Sequence, residues 1–380
     1  MQVYFDNAAT TPMRAEVIAA MSKVMEDCFG NPSSTHAFGR TAKTHIETAR
    51  KSIAALLNAK PQEIIFTSGG TESDNMLIRA AVTDLGVKTI ITTAIEHHAI
   101  LHTVEYLEDQ GIHVEYLEVN KEGGIDYTQL ERVLAERPEK KLISLMHINN
   151  EIGTILDLDR VGELAKKYDT LFHTDAVQGV GHYGFDLEKC PIDFLSSAAH
   201  KYHGPKGVGF SFVRQNSNLG PFILGGSQER GLRAGTESVH NIVGMAKALE
   251  LSYAHLDKEK AYVLSLKKHA IKRLTEAFPE VYFNGNCNDE KKATYTLLNV
   301  ALPIKSEKAA LLNFHLDLKG IACSKGSACQ SGSTKGSHVL DKVVPEEYKQ
   351  RPSIRFSFSK YNTLDEVDYL VDTLASFNAS

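Results

Sequence analysis

The sequence predicts an α/β fold, with a large, mostly parallel seven-stranded sheet covered on both faces and a smaller α+β unit at the C-terminal end. Three observations carry this expectation. Short apolar runs alternate with helical stretches over roughly the first two thirds of the chain, as parallel strands joined by crossover helices do. The runs are apolar nearly throughout, which suits strands buried on both faces. From about residue 256 the alternation breaks into a long charged helix and a few scattered strands.

In chain order, "TTPMRAEVIAAMSKVM" reads as a helix with Thr11 as its N-cap and proline at the first helical position. Val17, Met21 and Val24 share one face of it. A second helix covers about 40–58, with Ile46, Ala49, Ile53 and Leu56 spaced for burial. Seven strands follow, in "EIIFTS", "KTIITT", "HVEYLEV", "KLISLMHI", "TLFHTD", "IDFLSS" and "VGFSFV". Beyond 256 come "TYTLLNVAL", a helix, "GIACS", a loop, "SIRFSF" and a last helix from Thr363. A length of 380 residues suits two domains. Their expected bounds are 12–255 for the large one, and 1–11 with 256–380 for the small one. Neither repeats nor low-complexity tracts interrupt the pattern.

Composition narrows the function. A formal charge of −5 gives no basic footprint for nucleic acid. No run approaches the ~18 apolar residues of a membrane span, and "MQVYFDNAATTP" lacks a signal peptide's apolar region. A cytoplasmic location is the expectation. The five cysteines include no C-x-x-C pair, which argues against a disulfide framework or structural zinc. In "HHAILH", His98 and His102 stand one helical turn apart, but no third ligand lies nearby in sequence.

Chemistry concentrates where strands end. In "FTSGGTESDN" a strand stops at Thr67, two glycines turn the chain, and Thr71 helps to open a helix. Free N–H groups at such an end bind anions, although a capped tight turn explains the segment equally well. Neither nucleotide fingerprint, G-x-x-x-x-G-K-[ST] or G-x-G-x-x-G, is present. Asp175 in "FHTDAVQG" sits where open sheets place ligands, or caps a turn, and Gln178 can reach the same pocket. Asn149 and Asn150 in "MHINNEIG", and His97 in "TAIEHHAIL", are placed at two more strand ends. Lys201 directly follows an apolar strand and His200 in "SSAAHKYHGPKG". Alone, it reads as a lysine snorkelling to water. Together, a phosphate cradle at Gly70 and Thr71, a buried carboxylate, an imidazole ring and a strand-end lysine meet the needs of pyridoxal 5'-phosphate. His200 is then placed to help hold the phosphate.

With these motifs in hand, the chain resembles the NifS/IscS-like cysteine desulfurases, class-V aminotransferase relatives of the pyridoxal phosphate fold type I. The likeness runs nearly end to end through "DNAATTP", "FGNPSSTH", "FTSGGTESDN", "EHHAIL", "MHINNEIGT", "HTDAVQ", "HKYHGPKG", "ERGLRAGTE", "GSAC" and "SIRFS". It implies that Lys201 carries the cofactor, Asp175 partners the pyridine nitrogen, and Gln178 binds the ring oxygen. His97 would stack on the ring and move protons, with Asn150 near the ring oxygen and substrate carboxylate. Thr71 and His200 match phosphate ligands, in keeping with the cradle at Gly70 and Thr71. Thr236 in "RAGTE" matches a phosphate contact supplied by the other subunit of a homodimer. Arg355 matches the residue that grips the substrate carboxylate, a task suited to a guanidinium's paired hydrogen bonds.

Cys329, in the Gly- and Ser-rich "CSKGSACQSGSTKGSH", matches the nucleophile. The implied reaction moves sulfur from L-cysteine to Cys329, leaving alanine and a persulfide for an acceptor such as an iron–sulfur scaffold or a thiolation protein. No resident metal is implied, although Cys329 would contact a nascent iron–sulfur cluster during transfer. Two departures stand out: Ala198 replaces the family's usual serine three residues before the lysine, and the cysteine loop reads "CQSGSTKG". Selenocysteine lyase, or another class-V lyase or aminotransferase, is the alternative within the same cofactor class. A sulfur carrier without catalysis is the alternative outside it.

Overall fold

The computed structural model describes residues 1–325 and 336–379, so Cys329 lies outside the described residues. In chain order the elements are β1 (Val3–Tyr4), α1 (Ala15–Asp27), α2 (Ala37–Leu56), β2 (Ile64–Thr67), α3 (Gly70–Thr83), β3 (Thr89–Thr93), α4 (His98–Glu108) and β4 (His113–Leu117). Then come α5 (Tyr127–Glu136), β5 (Lys141–Ser144), α6 (Leu158–Lys167), β6 (Leu171–Asp175), β7 (Phe194–Ala198), β8 (Gly209–Val213), α7 (Val239–Ala254) and α8 (Leu256–Ala277). The chain closes with β9 (Tyr282–Phe283), β10 (Leu297–Ala301), α9 (Ser306–Ala309), α10 (Leu312–Leu318), β11 (Ile321–Ala322), α11 (His338–Val343), β12 (Ser353–Ser357) and α12 (Leu364–Ala379).

Seven strands form one sheet in the order β2-β8-β7-β6-β5-β3-β4. Only β8 runs against its neighbours. Strand alternation sends successive side chains to opposite faces, and here both faces are apolar. Ile64, Ile91, Ile143, Phe172 and Leu195 pack in the layer with α1, α2, α5, α6 and α7. Their neighbours Ile65, Ile90, Leu142 and Phe194 pack under α3 and α4. Each such fully buried side chain contributes roughly 1.5–3 kcal/mol. Sheet order reverses between β3 and β5, since β4 lies on the far side of β3, and ligand crevices open at such points.

A three-stranded antiparallel sheet, β12-β10-β9, and the parallel pair β1-β11 lie beside α8 and α12. Val3 and Phe5 share one apolar cluster with residues of α8, β10, β12 and α12. Asp6 bridges to Ser357, which brings the chain's first residues alongside β12.

The expected helix start at Thr11 is corrected: α1 begins at Ala15, and no side chain caps it. Thr11 is engaged elsewhere, its N–H and hydroxyl both donating to the His200 carbonyl while its Oγ1 accepts the His203 N–H. Those bonds hold 11–14 extended against the turn that carries Lys201. Leu56, expected to be buried, ends α2 only half-buried, and it is the capping residue Leu57 that is fully buried.

Candidate active site

The cleft is built first by the end of α3. Gly69 sits at φ +153°, where side chains are strongly disfavoured. A Cβ on Gly70 would lie 2.6 Å from Val177 Cγ2, so this helix end packs tightly on the turn after β6. The Thr67 and Ser73 hydroxyls, 2.8 Å apart, tie the strand to the helix. No side chain caps α3, leaving its first N–H groups and the positive end of its dipole for a ligand. Gly70 and Thr71 both line the cleft.

The ends of β6 and β7 supply the charged groups. Asp175, the last residue of β6, is 7% exposed and accepts the Val177 N–H at 2.9 Å. Burial, reinforced by Asp74, lifts its carboxyl to about 7, against the pull of Lys201 and His173. Lys201 lies in a short 3-10 turn directly after β7. Its Nζ donates to the carbonyls of Ala8 (2.6 Å) and Ala9 (2.9 Å). Gln178 Nε2 donates to the same Ala8 carbonyl at 2.9 Å. The N-terminal segment is thus a docking rail for two cleft side chains.

His97 does not end a strand, as the sequence suggested. It lies four residues beyond β3, and its Nδ1 accepts the Ala99 N–H (3.1 Å) to cap α4. With Nδ1 committed as acceptor, the neutral ring carries its proton on Nε2. Burial, then Lys201, pushes it down to about 4. His200 is also held near 4 by burial and Lys201, and its Nδ1 lies 3.2 Å from Thr10 Oγ1. Its imidazole is therefore neutral near pH 7.

Asn150 likewise sits in the loop after β5 and not at the strand end. Its carbonyl accepts Nη1 of Arg355 at 2.7 Å. Arg355, on β12, is 1% exposed and pairs with Asp6 at 3.0 Å. One cleft of about 780 Å³ gathers all of these: Gly70, Thr71, His97, Asn150 and Asp175, then Gln178, Ala198, His200, Lys201 and Arg355. Thr236 is not among them; it is exposed in the loop before α7. Asp74 and the Ala8 and Ala9 carbonyls also line the cleft, and sequence reasoning missed them.

The described residues on either side of 326–335 contact residues of the cleft or their neighbours. Ser324 exchanges two backbone hydrogen bonds with Arg355 (2.8 and 3.2 Å). On the other side, His338 Nε2 donates to the Glu96 carbonyl at 2.9 Å and its ring lies 4.5 Å from that of His98. Burial and Asp6 push the Cys323 thiol up to about 12, which makes it unreactive near neutral pH.

A family model for class-V aminotransferases matches residues 3–370. The chain is 44% identical over 376 residues to a protein named cysteine desulfurase IscS from Dictyoglomus turgidum, covering 98% of this chain and 93% of the relative. A cysteine desulfurase IscS from Methanosarcina thermophila is also 44% identical, covering 98% and 91%. The chain belongs to the cysteine desulfurase branch of the class-V aminotransferases. Among solved structures, a NifS-like protein superimposes with TM-score 0.90 at 36% identity over the whole of both chains. SspA in complex with cysteine superimposes with TM-score 0.82 at 33% identity, covering 95% of this chain and all of that one.

The buried titratable groups of this desulfurase also bear on its stability. His97, His147, His173, His200 and His203 are each held down to about 4, chiefly by burial. Each binds a proton more readily unfolded than folded, so each removes stability as pH falls from 6.5 toward 4. Asp74 and Asp175, raised to about 7, and Glu96, raised well above its ordinary value by burial, have the opposite sign. Their contribution is present at low pH and lost as pH rises through that window. The histidines outnumber them, so the urea midpoint is expected to drop between about pH 6.5 and pH 4. A midpoint that holds or rises on acidification would contradict this balance.

Proposed function

We propose that this chain takes sulfur from L-cysteine, releases L-alanine and holds the sulfur as a persulfide on Cys329. The observation that carries the proposal is the convergence on one cleft of an uncapped helix end, a buried carboxylate at a strand end and a lysine one turn past the next strand. Those residues suit pyridoxal 5'-phosphate, which when bound supplies an electron sink for breaking bonds in an amino acid. A Cβ at Gly70 would collide with Val177 and push the helix end off the turn after β6, and Asp175 is a buried acid whose charge a cationic ring nitrogen would offset.

Under this reading the α3 end, Thr71 and His200 would hold the phosphate, Asp175 would partner the ring nitrogen, and Gln178 and Asn150 would serve the ring oxygen. Lys201 Nζ and His97 Nε2 are the cleft groups that carry protons to and from the substrate. Arg355 takes the substrate carboxylate. The Cys329 thiolate attacks the substrate sulfur: a sulfur–sulfur bond forms, the carbon–sulfur bond breaks, and the carbon is protonated to give alanine. Thr236, exposed at a distance from its own cleft, serves the cleft of a second copy, which makes a homodimer part of the proposal. A cytoplasmic location and transfer to an iron–sulfur scaffold or thiolation protein belong to it as well. Incubation with L-cysteine and no reductant should give one alanine per chain and a mass gain of one sulfur on the peptide containing Cys329. Alanine without that mass gain would move the sulfur elsewhere.

Ala198 bears on cofactor retention. It is buried, and its Cβ lies 3.9 Å from a Cβ built on Gly70. Ser196, on the same face of β7, has its hydroxyl 3.2 Å from His173 Nε2 and is not free to substitute. Ala198→Ser adds a hydroxyl beside the phosphate cradle, and such a bond to a charged group contributes about 1.5–3 kcal/mol. Cofactor loss during dialysis against excess cysteine should slow by roughly tenfold or more. Equal loss from parent and variant would show the phosphate already satisfied.

A further inference from the structure

Under α3 the apolar face of the sheet turns polar toward the strand ends. Ser144 pairs with His173 across β5 and β6, and Asp175 pairs with Ser196 across β6 and β7. His173 Nδ1 lies 2.9 Å from Ser144 Oγ, and its Nε2 lies 3.2 Å from Ser196 Oγ. All three side chains are wholly buried. Asp74, in the second turn of α3, closes this layer from above. It is 1% exposed, and its Oδ1 makes no hydrogen bond among the described residues, the His173 Nε2 lying 3.5 Å away. Asp74 and Asp175 line the same cleft.

A third acid, Glu96, is 2% exposed; its oxygens face the Thr93 hydroxyl (3.0 Å) and the Met146 N–H (2.9 Å). The charges of Asp175 and Asp74 add to burial in raising its pKa. Three carboxyl groups in one water-poor region cannot all ionise, because like charges and desolvation both oppose it. The surrounding titratable groups are Lys201 and three histidines, His97, His173 and His200, which burial keeps neutral near pH 7. Asp175 has the Val177 N–H and Lys201 to support an anion, whereas Asp74 has only a hydroxyl and a neutral imidazole beside it.

We propose that Asp74 is a positioning residue, held as a neutral carboxylic acid that completes the Ser144–His173–Ser196 layer and leaves Asp175 as the single anion offered to a protonated ring nitrogen. This rests on the cleft holding pyridoxal 5'-phosphate. Burial lifts both acids to about 7, so they titrate as a coupled pair. A cation docked against Asp175 draws the negative charge there and leaves the proton on Asp74.

Two measurements on the cofactor-loaded protein test the proposal. Infrared spectra at pH 7.5 should show the carbonyl stretch of protonated carboxylic acid, shifted in D2O, and one such component should vanish in Asp74→Asn. Ser196→Ala, which removes only the neighbouring hydroxyl, should move the same component and serves if the first variant fails to fold. The pH midpoint of the bound chromophore should be unchanged in Asp74→Asn, since residue 74 is uncharged in both proteins. Absence of the component in the parent protein, or a midpoint lowered by about one unit or more, would show an ionised Asp74 and overturn the proposal. A protein with no chromophore at all would instead defeat the cofactor assignment, and the two failures are told apart by the visible spectrum alone.

Discussion

Lys201→Ala is expected to abolish turnover and the covalently held chromophore, whereas Cys329→Ala should keep the chromophore and release no sulfide. The two residues fail differently because they stand at different places in the proposed reaction. Lys201 Nζ reaches the Ala8 and Ala9 carbonyls from the turn after β7, and Lys201 lines the same cleft as Asp175. Removing it deletes the attachment point and a proton carrier, and loss of general acid–base help alone costs about 10²–10⁴-fold. It also frees two carbonyl acceptors, so folding must be checked. Lys201→Arg keeps a donor there but cannot attach the cofactor, and it should be equally inactive. In the proposed reaction Cys329 acts on the substrate sulfur and has no part in holding the cofactor, so its loss should leave cofactor binding intact. Sulfide release by Cys329→Ala at the parental rate would remove the nucleophile assignment. Full chromophore in Lys201→Ala, resistant to dialysis, would remove the other.

How much of this was visible in the chain alone depends on which force places each residue. The seven strands were legible because burial on two faces demands unbroken apolar runs, as in "KLIS" and "FLSSA", and the helices between them supply the crossovers. Lys201 and Asp175 were legible because each is a charge standing directly after such a run. Asp74 was not. In "TESDN" it looks like any polar residue in an opening helical turn, and only the docking of α3 against β6 and β7 buries it. The Ala8 and Ala9 carbonyls carry no side-chain signal, although they anchor both Lys201 and Gln178. Thr11 misled for a related reason. A hydroxyl before proline and an apolar helical pattern normally caps a helix, yet this one is taken by the turn at 200–203. Local propensity lost to a long-range contact.

Arg355→Lys is expected to raise KM for L-cysteine by roughly 10- to 100-fold, with a smaller change in kcat. A guanidinium offers five N–H donors in a fixed fork. Here Nη2 serves Asp6 and Nη1 the Asn150 carbonyl, while Nε has no partner among the described residues. A buried cation so arranged still has hydrogens to present to a second carboxylate in the cleft. Lysine keeps the charge but presents a single ammonium that Asp6 and the Asn150 carbonyl already claim. A lost hydrogen bond between charged groups costs about 1.5–3 kcal/mol, which gives the stated range. The effect belongs in KM if the carboxylate is gripped equally in ground and transition states. Asp6→Asn separates this from a purely structural role. Asp6 competes for the guanidinium and accepts the Ser324 hydroxyl at 2.8 Å, so neutralising it should lower KM or leave it unchanged. If Arg355→Lys instead lowers the melting temperature with KM intact, the residue is a strut joining Asp6, Asn150 and β12, and the substrate carboxylate is bound elsewhere.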